Sequence, residues 1–368
     1  MAVSYDVIVV GGGPIGAACA RELALTGRRV LILERGEEIG QAWRAAAGML
    51  APQIETTQDE SVLEFGLAAR ELYTDLAEAL REATGIDIGL WREGIAWVAD
   101  GDDEAADLRT RVAIQRQQGH LCDWLDSGEV RARWPWLGPT QGALWAPHDG
   151  ALEPIKLVEA LLSDAKQLGA HVMHDSVTSV DQRGDRVVGV TGHEGHYATP
   201  TVVIAAGAWS GEIEGLPRPL SVAPVRGQMA AMPWPSAAAR AIVYGKGGYL
   251  VARGEEAIVG STMEYVGFRP EVTSSGLARI FASVTALCPS LTLAEVRRTW
   301  AGLRPVTPDG APILGAEPRV EGLWYAVGHG RNGILLAGMT GRIIRQLLAG
   351  ESPEQDIGLF SPTRFWQW

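Results

Sequence analysis

The chain has 368 residues, 46% of them hydrophobic and 21% charged, with 45 glycines and a formal net charge of −12. That length exceeds one small core and suits about two domains of ordinary globular composition. The acidic balance argues against nucleic acid as a partner, because phosphate binding needs a basic face.

YDVIVV, residues 5–10, reads as a strand buried on both faces, and GGGPIG follows at 11–16. AACARELALTG, 17–27, has a helical pattern that stops at Gly27, and RRVLILER, 28–35, is a second strand. Together they make a βαβ unit. Ser61 and Glu64 form a capping-box pattern ahead of a long helix that ends near Gly85. GIAWVAD, 94–100, is strand-like, and the acidic run DGDDEAAD, 100–107, reads as a solvated turn leading into a helix. A helix with Pro154 in its first turn runs to Gly169, followed by a hairpin that turns at 183–185. TVVIAAGAWS, 201–210, is another buried strand with a glycine turn. Strands dominate from about 219 to 300 around a helix over 275–287, and 324–350 reads as strand, glycine turn, helix. Nucleotide-type segments thus lie at the start, middle and end, with a sheet-rich second domain between them.

Cys19, Cys122 and Cys288 are too sparse for a disulfide framework or a zinc site, so a reduced, cytoplasmic chain is the simplest reading. The histidines lack metal-ligand spacing, and no metal is expected. No apolar run of about 18 residues escapes charge or glycine, so no membrane helix is expected. The N-terminus carries Asp6 and no basic leader, and it reads as a strand rather than a signal peptide.

Gly11, Gly13 and Gly16 form G-x-G-x-x-G, whose glycines give the tight turn, the approach to a pyrophosphate and close helix–strand packing. Glu34 lies 18 positions after Gly16, where an acidic group can accept from a ribose hydroxyl. This is a dinucleotide site. Small residues in RAAAGML, 44–50, are compatible with an extended FAD or with a tightly packed helix start. Arg304, in TWAGLRPVTPDGAPILG, is a charge in an apolar run; on the residues alone it pairs either with an internal carboxylate or with an anionic ligand.

GGGPIG, Glu34, AAAGML, VIAAGAWS, AGLRPVTPDGAPILG and GHGRNGILLAG together resemble the D-amino-acid-oxidase-like FAD-dependent oxidoreductases over nearly the whole chain. They are most similar to the branch that oxidises glycine and is associated with the thiazole ring of thiamine. The resemblance implies an α/β (α+β overall) fold. Its FAD-binding Rossmann-type domain would be assembled from residues 1–85, 146–218 and 301–368, and an antiparallel-sheet substrate domain from 86–145 and 219–300. It implies non-covalent FAD, with Pro14, Ile15, Glu34 and Arg35 at pyrophosphate and adenosine and Val177 meeting adenine. Ala42, Trp43, Ala47, Gly48 and Met49 would line the cofactor, as would Ala206, Gly207 and Trp209. Trp43 departs from the small polar residue of the family pattern. The turn His329, Gly330, Arg331, Asn332, Gly333, Ile334, Leu335 would wrap the isoalloxazine.

By the same resemblance Arg304 binds a substrate carboxylate, Tyr249 hydrogen-bonds it and Met263 lines the pocket from a neighbouring strand. Arg331 would lie near flavin and substrate together, or else form an ion pair. The implied reaction is oxidative deamination of glycine, sarcosine or small D-amino acids, with O2 as acceptor and hydrogen peroxide released, and with no dedicated acid–base residue. The expected assembly is a homo-oligomer, a tetramer for choice, with no nucleic-acid or membrane partner. Close alternatives are an oxidase of other amines and a D-amino-acid dehydrogenase. An alternative of another class is a non-catalytic flavoprotein subunit, against which the Arg304–Tyr249 pair argues.

Overall fold

Val7–Val10 and Val30–Glu34 are apolar at almost every position because both faces of their sheet are covered. The computed structural model describes residues 4–36, 39–55, 60–235 and 239–365. In it these strands join a six-stranded sheet in the order Ile313–Ala316, Leu323–Val327, Val202–Ile204, Val7–Val10, Val30–Glu34, His171–His174. The first pair is antiparallel and the rest are parallel. Val7, Val9, Val30 and Ile32 pack into a helical layer that includes Pro14–Ala24, Pro154–Gln167 and Gly333–Leu348. The alternate residues Ile8, Val10, Leu31 and Leu33 pack with Val180, Val187 and Val190 of a three-stranded meander. Period-2 alternation thus divides one strand between two apolar layers.

The long helix spans Glu60–Thr84, close to its expected end at Gly85. The side chain of Ser61, expected to cap it with Glu64, lies outside the described residues. The hairpin turning at 183–185 forms from Val177–Arg183 and Arg186–Gly192. The expected helix near 275–287 is Ser274–Leu287, where the Thr273 hydroxyl accepts from the Gly276 N–H at 3.2 Å.

A second sheet has nine strands in the order Gly40–Gln41, Arg298–Val306, Ala223–Pro233, Glu256–Gly260, Gly248–Arg253, Ile242–Gly245, Ile95–Ala99, Gly142–Ala146, Asp123–Asp126. It is antiparallel apart from two pairings, Ile242–Gly245 with Ile95–Ala99 and Arg298–Val306 with Gly40–Gln41. The boundary expected at residue 301 falls inside the strand Arg298–Val306, whose ladder to Ala223–Pro233 is unbroken. The two sheets meet where the Gly330 N–H donates to the Pro305 carbonyl at 2.8 Å and His329 bridges Val306. That joint carries the strand of Arg304 to the glycine turn after Leu323–Val327.

Candidate active site

The first half of the site is built from backbone. Gly11 has φ +104°, and a Cβ there would lie 2.5 Å from the Ala205 carbonyl oxygen. A Cβ on Gly16 would lie 1.9 Å from the Gly11 carbonyl oxygen. Glycine is therefore required at both positions, one for conformation and one for contact. No side chain caps the helix Pro14–Ala24, and no acidic residue lies in its first turn. Its N–H groups and positive dipole end face the turn unneutralised, as an anion site requires.

Glu34 is fixed beside this turn. Its Oε2 accepts from the Gly12 N–H at 2.5 Å, and its Oε1 from the Gly36 N–H at 3.2 Å and Gln41 Nε2 at 3.0 Å. A carboxylate has about four acceptor positions, so capacity is left for a hydroxyl. The Arg35 guanidinium lies 3.5 Å over the Trp209 ring, which stacks on Phe268 at 5.9 Å. Trp43 sits against the glycine turn: a Cβ on Gly13 would be 3.3 Å from its Cδ1. The ring takes the space a small polar residue would leave open.

The second half gathers side chains from the nine-stranded sheet. Arg304 is opposite Val225 in the register, and Gly227 lies two positions further along that paired strand, diagonal to Arg304. A Cβ on Gly227 would lie 2.2–2.5 Å from the guanidinium atoms of Arg304, so this mid-strand glycine makes room for the arginine head. Arg304 Nη1 donates to the Thr262 carbonyl at 3.0 Å and Nη2 to Ser261 Oγ at 2.7 Å. Both acceptors are neutral, and among the described residues no carboxylate pairs with Arg304. Burial lowers its pKa, and it retains N–H donors beyond the two in use.

Tyr249 stands beside it, buried, with its hydroxyl 3.3 Å from Met229 Sδ. Burial raises its pKa against the pull of Arg304, so the phenol keeps its proton. Across the hairpin Tyr249 pairs with Tyr244, the ring centroids 5.4 Å apart. Tyr244 donates to Glu55 Oε1 at 2.5 Å, and Arg331 Nη2 donates to the same oxygen at 2.9 Å. Burial first, and the Glu55 charge second, push the Tyr244 phenol well above its ordinary value. The Glu55 carboxylate raises the pKa of Arg331, whose side chain is half-exposed. Arg331 is thus both an ion-pair partner and part of the site wall.

One cavity of about 720 Å³ is lined by both halves, from Glu34 and Val177 through Ala42, Trp43 and residues 45–49 to Tyr249 and Arg304. That falls in the ~300–1,000 Å³ range of small-molecule sites. Of the expected cofactor residues, Gly16, Asn332 and Leu335 do not line it. Gly16 packs beneath the turn. Asn332 precedes the helix Gly333–Leu348, which carries Leu335 away from the cavity into the core. His329 lines the cavity but is buried with Nε2 3.0 Å from Thr340 Oγ1, and burial depresses its pKa to about 3. Met263 also lines it, from the segment after the strand Glu256–Gly260 rather than within a strand, and is half-exposed.

Sequence reasoning missed Glu55, Tyr244, Gly227 and Ser261. Two of them left a trace: a glycine inside a strand pattern marks close approach, and the YGKGGY hairpin pairs Tyr244 with Tyr249.

A family model described as FAD dependent oxidoreductase matches residues 6–347. The chain belongs to this family. Glycine oxidase of Geobacillus kaustophilus is 37% identical over 368 residues, covering 98% of this chain and 97% of that one. Its crystal structure superposes with a TM-score of 0.94 at 36% identity, covering 98% of this chain and 99% of that one. The bifunctional protein ThiO/ThiG of Trichormus variabilis is 34% identical over 99% of this chain, which spans 55% of that protein. The cofactor is FAD, and the geometry fits it: a turn closed to any Cβ, an uncapped helix end for the pyrophosphate and Glu34 with an acceptor position to spare for a ribose hydroxyl.

Proposed function

We propose that this chain is an FAD-dependent glycine oxidase, converting glycine, O2 and water to glyoxylate, ammonia and hydrogen peroxide. The observation that carries the reading is Arg304: a buried guanidinium with neutral partners, at the far end of a dinucleotide cavity from Glu34. A buried charge without a counter-ion costs several kcal/mol, and a substrate carboxylate removes that cost on binding. A guanidinium fork matches a carboxylate with two parallel hydrogen bonds. Arg331 offers a second cation, but Glu55 already neutralises it. The substrate carboxylate is therefore directed to Arg304, with the Tyr249 hydroxyl as a second donor.

Bound FAD supplies the two-electron oxidant, with O2 as its final acceptor. The chain's own residues orient the substrate. Arg304 and Tyr249 fix the carboxylate, Met49 and Met229 give apolar walls, and Tyr244 stays a protonated donor to Glu55. Sarcosine and small D-amino acids belong to the same proposal as slower or comparable substrates. Non-covalent attachment of FAD is supported by the cysteines, which are all buried and unpaired and do not line the cavity. Those reduced thiols also support a cytoplasmic location. Among the described residues no helix is long and apolar enough to cross a membrane. Similarity to the ThiO/ThiG protein supports a place in thiamine thiazole formation.

Peroxide release measured across glycine, sarcosine and D-alanine tests the reading. Glycine is expected to respond. Flavin bleaching by glycine without peroxide would make the chain a dehydrogenase, and a flavin that no amino acid bleaches would make it a non-catalytic subunit.

A further inference from the structure

Glu55 ends a four-residue helical turn, Pro52–Glu55, whose peptide groups are held by side chains from three other segments. Asp149, wholly buried, accepts through Oδ2 from the Gln53 N–H at 3.1 Å and the Ile54 N–H at 3.0 Å. Its Oδ1 accepts from Arg70 Nη1 at 2.7 Å, and the same Nη1 donates to Gln53 Oε1 at 2.9 Å. Gln53 Nε2 donates to Gln115 Oε1 at 3.0 Å, while Gln115 Nε2 donates to the Gln53 carbonyl at 2.9 Å. Arg111 Nη2 donates to the Ile54 carbonyl at 2.7 Å. None of Gln53, Arg70, Arg111, Gln115 and Asp149 lines the cavity. A polar network this deeply buried holds its members in one arrangement, because each lost bond leaves an unsatisfied group.

We propose that Asp149, braced by Arg70, is a positioning residue for the substrate site: it fixes the turn Pro52–Glu55 so that the Glu55 carboxylate reaches Tyr244 and Arg331 inside the cavity. This rests on Arg304 being the carboxylate site. With Glu55 in place, Arg331 is neutralised and Arg304 is the guanidinium left for the substrate. With Glu55 withdrawn, two cations compete for one carboxylate. Carboxylates then bind more tightly overall, but part of the bound population is held on Arg331, where Cα is not presented for oxidation.

The test is a double-mutant cycle of Asp149→Asn and Glu55→Gln in the full FAD-loaded chain, with two readouts. One is kcat and KM for glycine; the other is the dissociation constant of acetate, followed by flavin absorbance. Each single variant is expected to lower kcat by about 10-fold and to tighten acetate by about 3-fold or more, and the double variant to match Glu55→Gln alone. Asp149→Glu should recover part of the loss. Independent, multiplying losses in the double variant, or an acetate affinity unmoved by Asp149→Asn, would overturn the proposal. Should Asp149→Asn not fold, Gln115→Met removes two hydrogen bonds to the turn without stranding a charge. It should give a smaller effect of the same sign that vanishes in the Glu55→Gln background; an effect that persists there counts against the proposal. If the unmodified chain makes no peroxide from glycine while acetate shifts as expected, the functional reading fails and the positioning role stands.

Discussion

The two ends of the cavity are made of different materials. At the phosphate end the contacts are mainly backbone: a glycine turn and the first N–H groups of a helix, joined by the one side-chain carboxylate of Glu34, all within residues 11–34. At the substrate end they are side chains brought together from residues 49–55, 229–263, 304 and 331. Backbone contacts tolerate changes of side-chain chemistry but no added Cβ. Side-chain contacts tolerate neighbours of many kinds but not loss of the charged group itself. The two ends should therefore fail differently, one losing the flavin and the other losing turnover with the flavin kept.

The largest effect is expected at the first end. In Gly16→Ala the new Cβ meets backbone that cannot move aside, so the variant should lose about 4 kcal/mol or more of stability and bind no flavin. Soluble yield and the absorbance of the purified protein measure this; a yellow, stable variant would break the contrast. At the other end, Arg304→Ala should cost about 3–5 kcal/mol in kcat/KM, a hundred- to several-thousand-fold, with FAD content nearly unchanged. Arg304→Lys should recover only part, because a point charge does not replace the fork.

Gly227→Ala sharpens the comparison, because it is a glycine that belongs to the side-chain end. Its Cβ would displace the Arg304 head, and an overpacking cost of about 1–3 kcal/mol should appear in kcat/KM with the flavin retained. Loss of flavin instead would show that the two ends are not separable.

His329 lies on the joint between the ends and gives a pH test. Its folded pKa, about 3, is below the ordinary value of 6.5. Its neutral form therefore contributes stability that is complete above about 6.5 and is lost as pH falls toward 3. At about 1.4 kcal/mol per pH unit, acidification to pH 5 should remove roughly 2 kcal/mol. Urea unfolding at the two pH values measures it, and His329→Gln should flatten the slope. The smallest effect is expected from Met263→Ala: a half-exposed side chain at the cavity wall should change the D-alanine to glycine ratio by about 1 kcal/mol. Steady-state rates on both substrates will show whether that wall selects by size.

The same contrast governs what could be read before the structure was seen. The glycine turn, Glu34 and the buried strands were legible because their signals are local: spacing, period and a βαβ length. Arg304 was legible as an anomaly, a charge in an apolar run, although its partner was not. Glu55 was not legible, because nothing in PQIE distinguishes a carboxylate held by Asp149 from one in solvent; the bonds that deliver it join residues 53–54 to 70, 111, 115 and 149. Of the C-terminal glycine motif, His329, Gly330, Arg331, Gly333 and Ile334 line the cavity, whereas Asn332 and Leu335 face away from it. Met263 was placed in a strand because AIVGSTME continues an apolar pattern, whereas the strand ends at Gly260 and only an isolated bridge, Glu264 with Arg226, follows.

The strand Val7–Val10 is the first strand of its sheet to be made, yet one of its two edges waits for a partner far along the chain. It pairs with Val30–Glu34 at once, but its other neighbour is Val202–Ile204, and beyond that lies Leu323–Val327. At roughly 5–20 residues per second of synthesis, the exposed edge waits about 10–40 s for that neighbour. The cofactor cradle, which needs the turn after Val327, cannot close until residues 328–334 have been translated. Flavin capture should therefore follow synthesis of the strand Leu323–Val327 and the turn after it, and nascent chains that stall before that point carry an open apolar sheet edge for chaperones to cover.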